Sequence, residues 1–313
     1  GLRFPLSFRE TATLSRHLYF SHYFSWMGKL REAACQPVYS PLSDQLATGK
    51  WGMVTNHAEA RILHTVGAKD VIEGRVWVER QSGPADATID LCFEWQRALP
   101  GGQRETVAVG KMAATWVAIL DHGMVKAQPF PDYFQRYLDR MTPANAPAKG
   151  WDVTAQPDLG AEIFQSAGGP ASRAVLREQC FETALEDTNL VGNIYFANYA
   201  VWQGRTFDHY FYEVSPDYFR GVGERGEFRC LYSRIEHLRE AMPFDTIAVR
   251  MKLGTLYERG ARLLFEYYRL DAGGQQHKLA FGEHLAGWYV PTGNGYGQTA
   301  ALPSVFRDTL LKA

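Results

Sequence analysis

DTNLVGNIYFANYAVWQGRTFD, residues Asp187 to Asp208, decides how this chain is read. It opens on the polar Asp187, Thr188 and Asn189, turns at Gly192, and continues into a segment whose Ile194, Tyr195, Tyr199, Trp202 and Phe207 recur at helical spacing. Strand, loop and then a buried helix is the order this predicts. An earlier stretch, TLSRHLYFSHYFSWMGKLRE from Thr13 to Glu32, repeats it. A shift of 176 brings Leu14, Tyr19, Phe20, Tyr23, Trp26 and Gly28 onto Leu190, Tyr195, Phe196, Tyr199, Trp202 and Gly204 without a gap. Four of these six identities are aromatic, too specific for composition to produce.

The repeat extends beyond the helix. GGQRETVAVGKMAATW (Gly101 to Trp116) matches GGQQHKLAFGEHLAGW (Gly273 to Trp288) at a shift of 172, which also pairs Pro131, Phe134 and Leu138 with Pro303, Phe306 and Leu310. The chain reads as two copies of one unit, residues 1–150 and 151–313. Two copies are too few for a solenoid and suit a fused pseudo-dimer. Each copy predicts one long helix (about Leu18 to Cys35, then Ile194 to Phe211), a run of strands, and a closing helix that starts at Pro131 or Pro303. The expected strands cover Trp51 to Leu63, Asp70 to Gln81, Ala87 to Leu99 and Glu105 to Ile119 in the first copy. Those of the second are Arg173 to Glu186, Phe228 to His237, Thr246 to Glu258, Ala261 to Leu270 and Lys278 to Val290. Leu99 to Gly102 reads as a hairpin turn and Thr142 to Gly160 as the linker. The fold class expected is α+β, each helix wrapped by antiparallel sheet.

Bulk numbers narrow the function. The 313 residues are 46% hydrophobic and 21% charged, with a formal net charge of −1 and no block of like charge, so neither a nucleic-acid surface nor a basic membrane-binding patch is implied. No apolar run nears membrane-spanning length and no secretory signal is visible at the start. The scattered Cys35, Cys92, Cys180 and Cys230 are in no metal-binding spacing and read as small buried hydrophobes of a reducing cytoplasm. A start at Gly1 leaves room for a longer parent polypeptide. GVGERG, Gly221 to Gly226, satisfies a dinucleotide-loop pattern but lacks the preceding strand and reads as a loop. No cofactor or metal is expected.

TNLVGNIYFANYAVWQG closely resembles the loop-and-helix signature of hotdog-fold acyl thioesterases, in particular those releasing polyenes from polyketide synthases in enediyne antibiotic biosynthesis. FEYYR at Phe265 to Arg269 and the A-x-G pattern at Ala280 to Gly282 extend the likeness through the second copy. The resemblance implies a tandem double hotdog acting on an acyl or polyketide chain held as a thioester on acyl carrier protein, the phosphopantetheine arm lying between the helices. Many hotdog thioesterases place a catalytic carboxylate where Asn189 stands. The enediyne type resembles this chain in having Asn there, with a Tyr at the place of Tyr199 and an Arg eight positions later. In the second copy Phe207 occupies that Arg place. The first copy keeps Tyr23 and Arg31 but has Thr13 in place of Asn189.

Asn189, Tyr199, Arg31 and His17 are therefore the catalytic candidates, and Tyr23, His22, Asn193 and Arg205 the substrate-binding ones. Asn189 is either a turn residue or an amide donor to the oxyanion of thioester attack, helped by free N–H groups at the helix start. His17 and His22 stand where the second copy has Asn193 and Asn198, and either is a general base or a satisfied structural histidine. A β-hydroxyacyl dehydratase or product-shaping domain of a polyketide synthase is the alternative that a base would serve, although its usual H-x-x-x-G-x-x-x-x-P motif is not visible. A non-catalytic scaffold binding acyl chains or carrier protein is the third. A homodimer of the pseudo-dimer is compatible with all three.

Overall fold

A computed structural model of the chain describes residues 1–11, 13–121, 124–141, 174–220, 226–292 and 297–312. Its strands are β1 (Leu2–Pro5), β2 (Trp51–Ile62), β3 (Val71–Ser82), β4 (Thr88–Ala98), β5 (Arg104–Asp121), β6 (Met124–Ala127), β7 (Val175–Glu182), β8 (Glu227–His237), β9 (Thr246–Tyr257), β10 (Gly260–Leu270), β11 (Gln276–Val290) and β12 (Gln298–Thr299). The helices are α1 (Ser21–Ala34), α2 (Tyr39–Ala47), α3 (Asp132–Met141), α4 (Ala197–Val214), α5 (Pro216–Arg220) and α6 (Ser304–Lys312). The expected linker at 142–160, and with it the boundary between the copies, lies outside the described residues, as does GVGERG apart from Gly226.

One antiparallel sheet carries the strands in the order β1-β3-β4-β5-β2-β8-β11-β10-β9-β7, with β6 on β5 and β12 on β11. Matched strand for strand, the order is the same read inward from either edge. The halves meet where β2 pairs with β8, in the register Ala58↔Ile235, Glu59↔Arg234 and Ala60↔Ser233. Tyr232 donates its hydroxyl across this junction to Glu59 Oε2 at 2.6 Å.

α1 buries Tyr23, Phe24, Trp26, Met27 and Leu30, and α4 buries Tyr199, Trp202, Phe207, Tyr210 and Phe211. Both are apolar on more than one side because each meets sheet on one face and the other helix on another: α1 touches β2, β3 and α4, and α4 touches β7, β8, β9 and α1. At the helix contact, a Cβ on Gly28 would fall inside the radius of Tyr195 Oη, and one on Gly204 would lie 2.6 Å from Tyr19 Oη. Those hydroxyls then reach one turn further: Tyr195 Oη donates to Glu32 Oε1 at 3.0 Å and Tyr19 Oη to Asp208 Oδ2 at 2.8 Å. The residues preceding each helix thus lock onto the helix of the opposite half.

The cysteines only partly follow expectation. Cys92 is buried and Cys35 and Cys230 half-buried, but Cys180 is exposed near the β7 edge of the sheet.

Candidate functional site

Two cavities open at the junction of the halves. The first, of about 470 Å³, lies between α1 and the loop ahead of α4; Arg31, Glu32 and Cys35 face Asn189, Leu190 and Tyr195 there. The second, of about 340 Å³, lies between α4 and the loop ahead of α1, lined by Thr13, His17 and Tyr19 from one half and Phe207, Asp208 and Glu227 from the other. At the shift of 176, Asn189, Tyr195, Arg31 and Glu32 of the first cavity answer to Thr13, Tyr19, Phe207 and Asp208 of the second. Neither repeat carries both Asn and Arg, yet the first cavity holds both, because each cavity takes its loop from one repeat and its helix from the other.

Asn189 is positioned by a tight turn. Its Oδ1 accepts from Val191 N–H at 2.8 Å, its carbonyl from Gly192 N–H at 2.9 Å, and its own N–H donates to Asn193 O at 3.1 Å. Gly192, at φ 94, takes the left-handed conformation that closes the turn. With Oδ1 engaged, the amide Nδ2 is the end of Asn189 that can donate to a ligand, and among the described residues the adjacent Leu190 N–H has no acceptor either. The helix-start amides expected to assist do not line the cavity; the loop amide takes that place.

Arg31 crosses the face of the Phe196 ring at 5.3 Å and donates to Thr55 Oγ1 at 3.2 Å and Met112 Sδ at 3.5 Å. Among the described residues no carboxylate lies within ion-pair distance of it. A half-buried guanidinium held by neutral groups keeps its charge available for an anion or oxyanion. Glu32, exposed on α1, places its carboxylate at the same cavity, where Oε1 accepts from Tyr195 Oη. The repeat held the signal: an acid stands at this place in both copies, Glu32 and Asp208.

The other candidates disperse. Tyr199 is a core residue packed among Trp202, His237 and Tyr267, its phenol pushed well above the usual range by burial, and it lines neither cavity. Asn193 supports the loop from behind by donating Nδ2 to Glu240. His22 sits partly buried beside Glu10, its pKa lowered mainly by desolvation, and lines neither cavity. Arg205 is exposed on α4, away from both. Tyr23 and His17 belong to the second cavity, so they cannot share one catalytic set with Asn189 and Arg31.

His17 is deeply held. Its Nδ1 lies 2.9 Å from Ser15 Oγ and 3.2 Å from Glu227 Oε1, and Arg229 Nε donates to that same Glu227 oxygen at 2.9 Å. Burial lowers the His17 pKa to about 4, against the pull of Glu227. It is neutral near pH 7. Among the described residues no group of three or more His, Cys, Asp and Glu side chains could hold a metal ion, and no helix is long and apolar enough to cross a membrane.

A scan of protein-family models finds no match to this chain, and neither does a search of curated proteins. Solved structures do match. The 12:0-ACP thioesterase from Umbellularia californica superposes with a TM-score of 0.63 at 10% identity, covering 92% of this chain and 95% of that one. An acyl-ACP thioesterase from Bacteroides thetaiotaomicron gives a TM-score of 0.55 at 8% identity, over 91% of this chain and 96% of its own. The dynemicin thioesterase is 26% identical over 43% of this chain and 94% of its own, with a TM-score of 0.40. The large antiparallel sheet with its few helices is that of the hotdog-fold thioesterases.

Proposed function

We propose that the chain is two hotdog units fused in tandem and that it hydrolyses acyl or polyketide thioesters, presented on the phosphopantetheine arm of acyl carrier protein, in the cavity shared by Asn189 and Arg31. The observation that carries this reading is their convergence from opposite repeats, which restores in one place the pair that the resemblance associates with catalysis. The sequence resemblance supports the substrate class, and the fold, common to thioesterases, supports the reaction type.

The chemistry is within reach of these groups. Water attacks the thioester carbonyl and gives up a proton to the Glu32 carboxylate, while negative charge grows on the carbonyl oxygen. Asn189 Nδ2, Leu190 N–H and the Arg31 guanidinium are donors to that oxygen, fixed before reaction by the turn, the Phe196 ring and Thr55. The tetrahedral intermediate then collapses, the C–S bond breaks, and the proton held by Glu32 passes to the departing thiolate. The products are a free acid and the pantetheine thiol.

Incubating the protein with an acyl-loaded carrier protein tests this. Mass spectrometry of the carrier should show loss of the whole acyl group in the native protein and a far slower loss in Arg31→Ala. Loss of 18 Da from an intact acyl chain would instead identify a dehydratase, and no change at all a binding scaffold.

A further inference from the structure

The second cavity has a feature that hydrolysis at the first does not use: two histidines fixed in opposite tautomers. His17 Nδ1 is surrounded by acceptors. Ser15 Oγ spends its own proton on Glu227, so it accepts from the ring, and Glu227 Oε1 is a carboxylate oxygen. Thr13 Oγ1, 3.2 Å from Nδ1, gives its proton to the His17 carbonyl at 3.1 Å. The ring proton therefore sits on Nδ1 and leaves Nε2 as a bare acceptor.

His284, on β11, is the reverse. Gln203 turns its Nε2 to Glu283 O at 3.2 Å, a carbonyl that only an N–H can meet, with Ser233 Oγ at 2.9 Å and His284 Nδ1 at 3.4 Å, and its Oε1 to Tyr267 Oη at 3.0 Å, a hydroxyl that also reaches Tyr199 O at 3.1 Å. His284 Nδ1 accepts, so Nε2 carries the proton. The imidazole is 2% exposed, lies flat on Phe207 at 4.9 Å and takes the edge of Phe20 at 4.7 Å. Among the described residues neither Nε2 has a hydrogen-bond partner. At the repeat-equivalent places the first half has Met112 for His284, Met27 for Gln203 and Trp95 for Tyr267. The polar network thus exists on one side only.

We infer that the second cavity is a distinct binding site for an uncharged, oxygen-bearing hydrocarbon chain, its hydroxyl or carbonyl read by the His284 Nε2–H donor and the His17 Nε2 acceptor. Phe20, Phe207, Phe228, Trp288 and Phe306 supply the apolar walls. A second charge is unwelcome there. An anion would face the Glu227 and Asp208 carboxylates, with Arg229 already engaged by Glu227 and His64 lying 3.7 Å from Glu105 Oε1, and a cation would find both carboxylates taken, Glu227 by Ser15, His17 and Arg229 and Asp208 by Tyr19. Burial holds both histidines neutral, at about 4 for His17 and about 3 for His284, so neither offers an anion a countercharge near pH 7.

Calorimetric titration of the full chain with 1-decanol, decanoate and decylammonium at pH 7.5 tests the assignment, and Trp288 fluorescence reports occupancy. Saturable binding of decanol, with decanoate and decylammonium each weaker, is the result expected. His284→Phe keeps the ring stack and removes the donor, and should weaken decanol about tenfold, the worth of one hydrogen bond. Leu14→Trp, at the partly exposed rim, should block binding without disturbing the core. Arg31→Ala should leave decanol binding intact whatever it does to thioester hydrolysis, so failure here and failure of the hydrolase reading are distinguishable. Equal or tighter binding of either charged probe, indifference to both His284→Phe and Leu14→Trp, or loss of decanol binding in Arg31→Ala would overturn the proposal.

Discussion

Asn189 has two tasks that act through different atoms. Oδ1 holds the turn and, in the proposed hydrolase, Nδ2 donates to the oxyanion, so Asn189→Ala should lower turnover by about 10²–10³, the cost of one oxyanion donor, while the lost turn bond costs about 1 kcal/mol of stability. Unchanged steady-state kinetics together with a lowered melting temperature would reduce Asn189 to a turn residue. His17 makes the opposite case. Its folded-state pKa, about 4, lies below the ordinary 6.5, so as pH falls the unfolded chain takes the proton first. Its contribution to stability is constant above about pH 6.5, drains away between there and about pH 4, and is level below. Melting curves of His17→Asn across that range should therefore fall less steeply than those of the native protein, and thioester hydrolysis near neutral pH should change only modestly, since His17 does not line the cavity shared by Asn189 and Arg31. The individual residues were legible in the sequence as types. The resemblance also put Asn189 with Arg31; what was not legible is that these two, 158 positions apart, meet by a loop of one repeat closing on the helix of the other, which leaves His17 and Tyr199 elsewhere.

Among the elements, the seam between the long helices is the part most exposed to a single methyl group. Gly28→Ala would drive a Cβ into Tyr195 Oη and should cost about 1–3 kcal/mol, the usual penalty for overpacking. Tyr195→Phe in the same chain should recover part of that loss by removing the nearest atom. Thermal denaturation of the native protein and the two variants decides it, and a Gly28→Ala protein as stable as the native one would mean the helices can slide apart freely. Helical and alternating periodicity located both long helices and the long strands of both halves to within a few residues. α2 escaped because Pro41 and two serines read as loop, yet Pro41 stands in the first turn, where its missing N–H is not needed. The bulges, such as the shift between Thr55 and His57 in β2, left no mark that periodicity could register.

For the molecule as a whole, the β2–β8 ladder is the decisive contact. Residues 1–150 made alone would expose the β2 edge and the face of α1 that meets α4, so size-exclusion chromatography should find aggregate or a self-paired dimer. A stable monomer would contradict that. The repeat made legible two similar units that pair through joined sheets or facing helices; that β2 and β8 are the strands that meet was not, since only a strand's pairing edge, and not its side-chain pattern, says what lies beside it. The crossing of loops onto opposite helices has a consequence for how such a chain can change over time. In an assembly of two identical subunits, every substitution strikes both cavities at once. Here Arg31 and Phe207, or Asn189 and Thr13, are separately inherited letters, so one cavity is free to drift toward a new ligand while selection holds the other still.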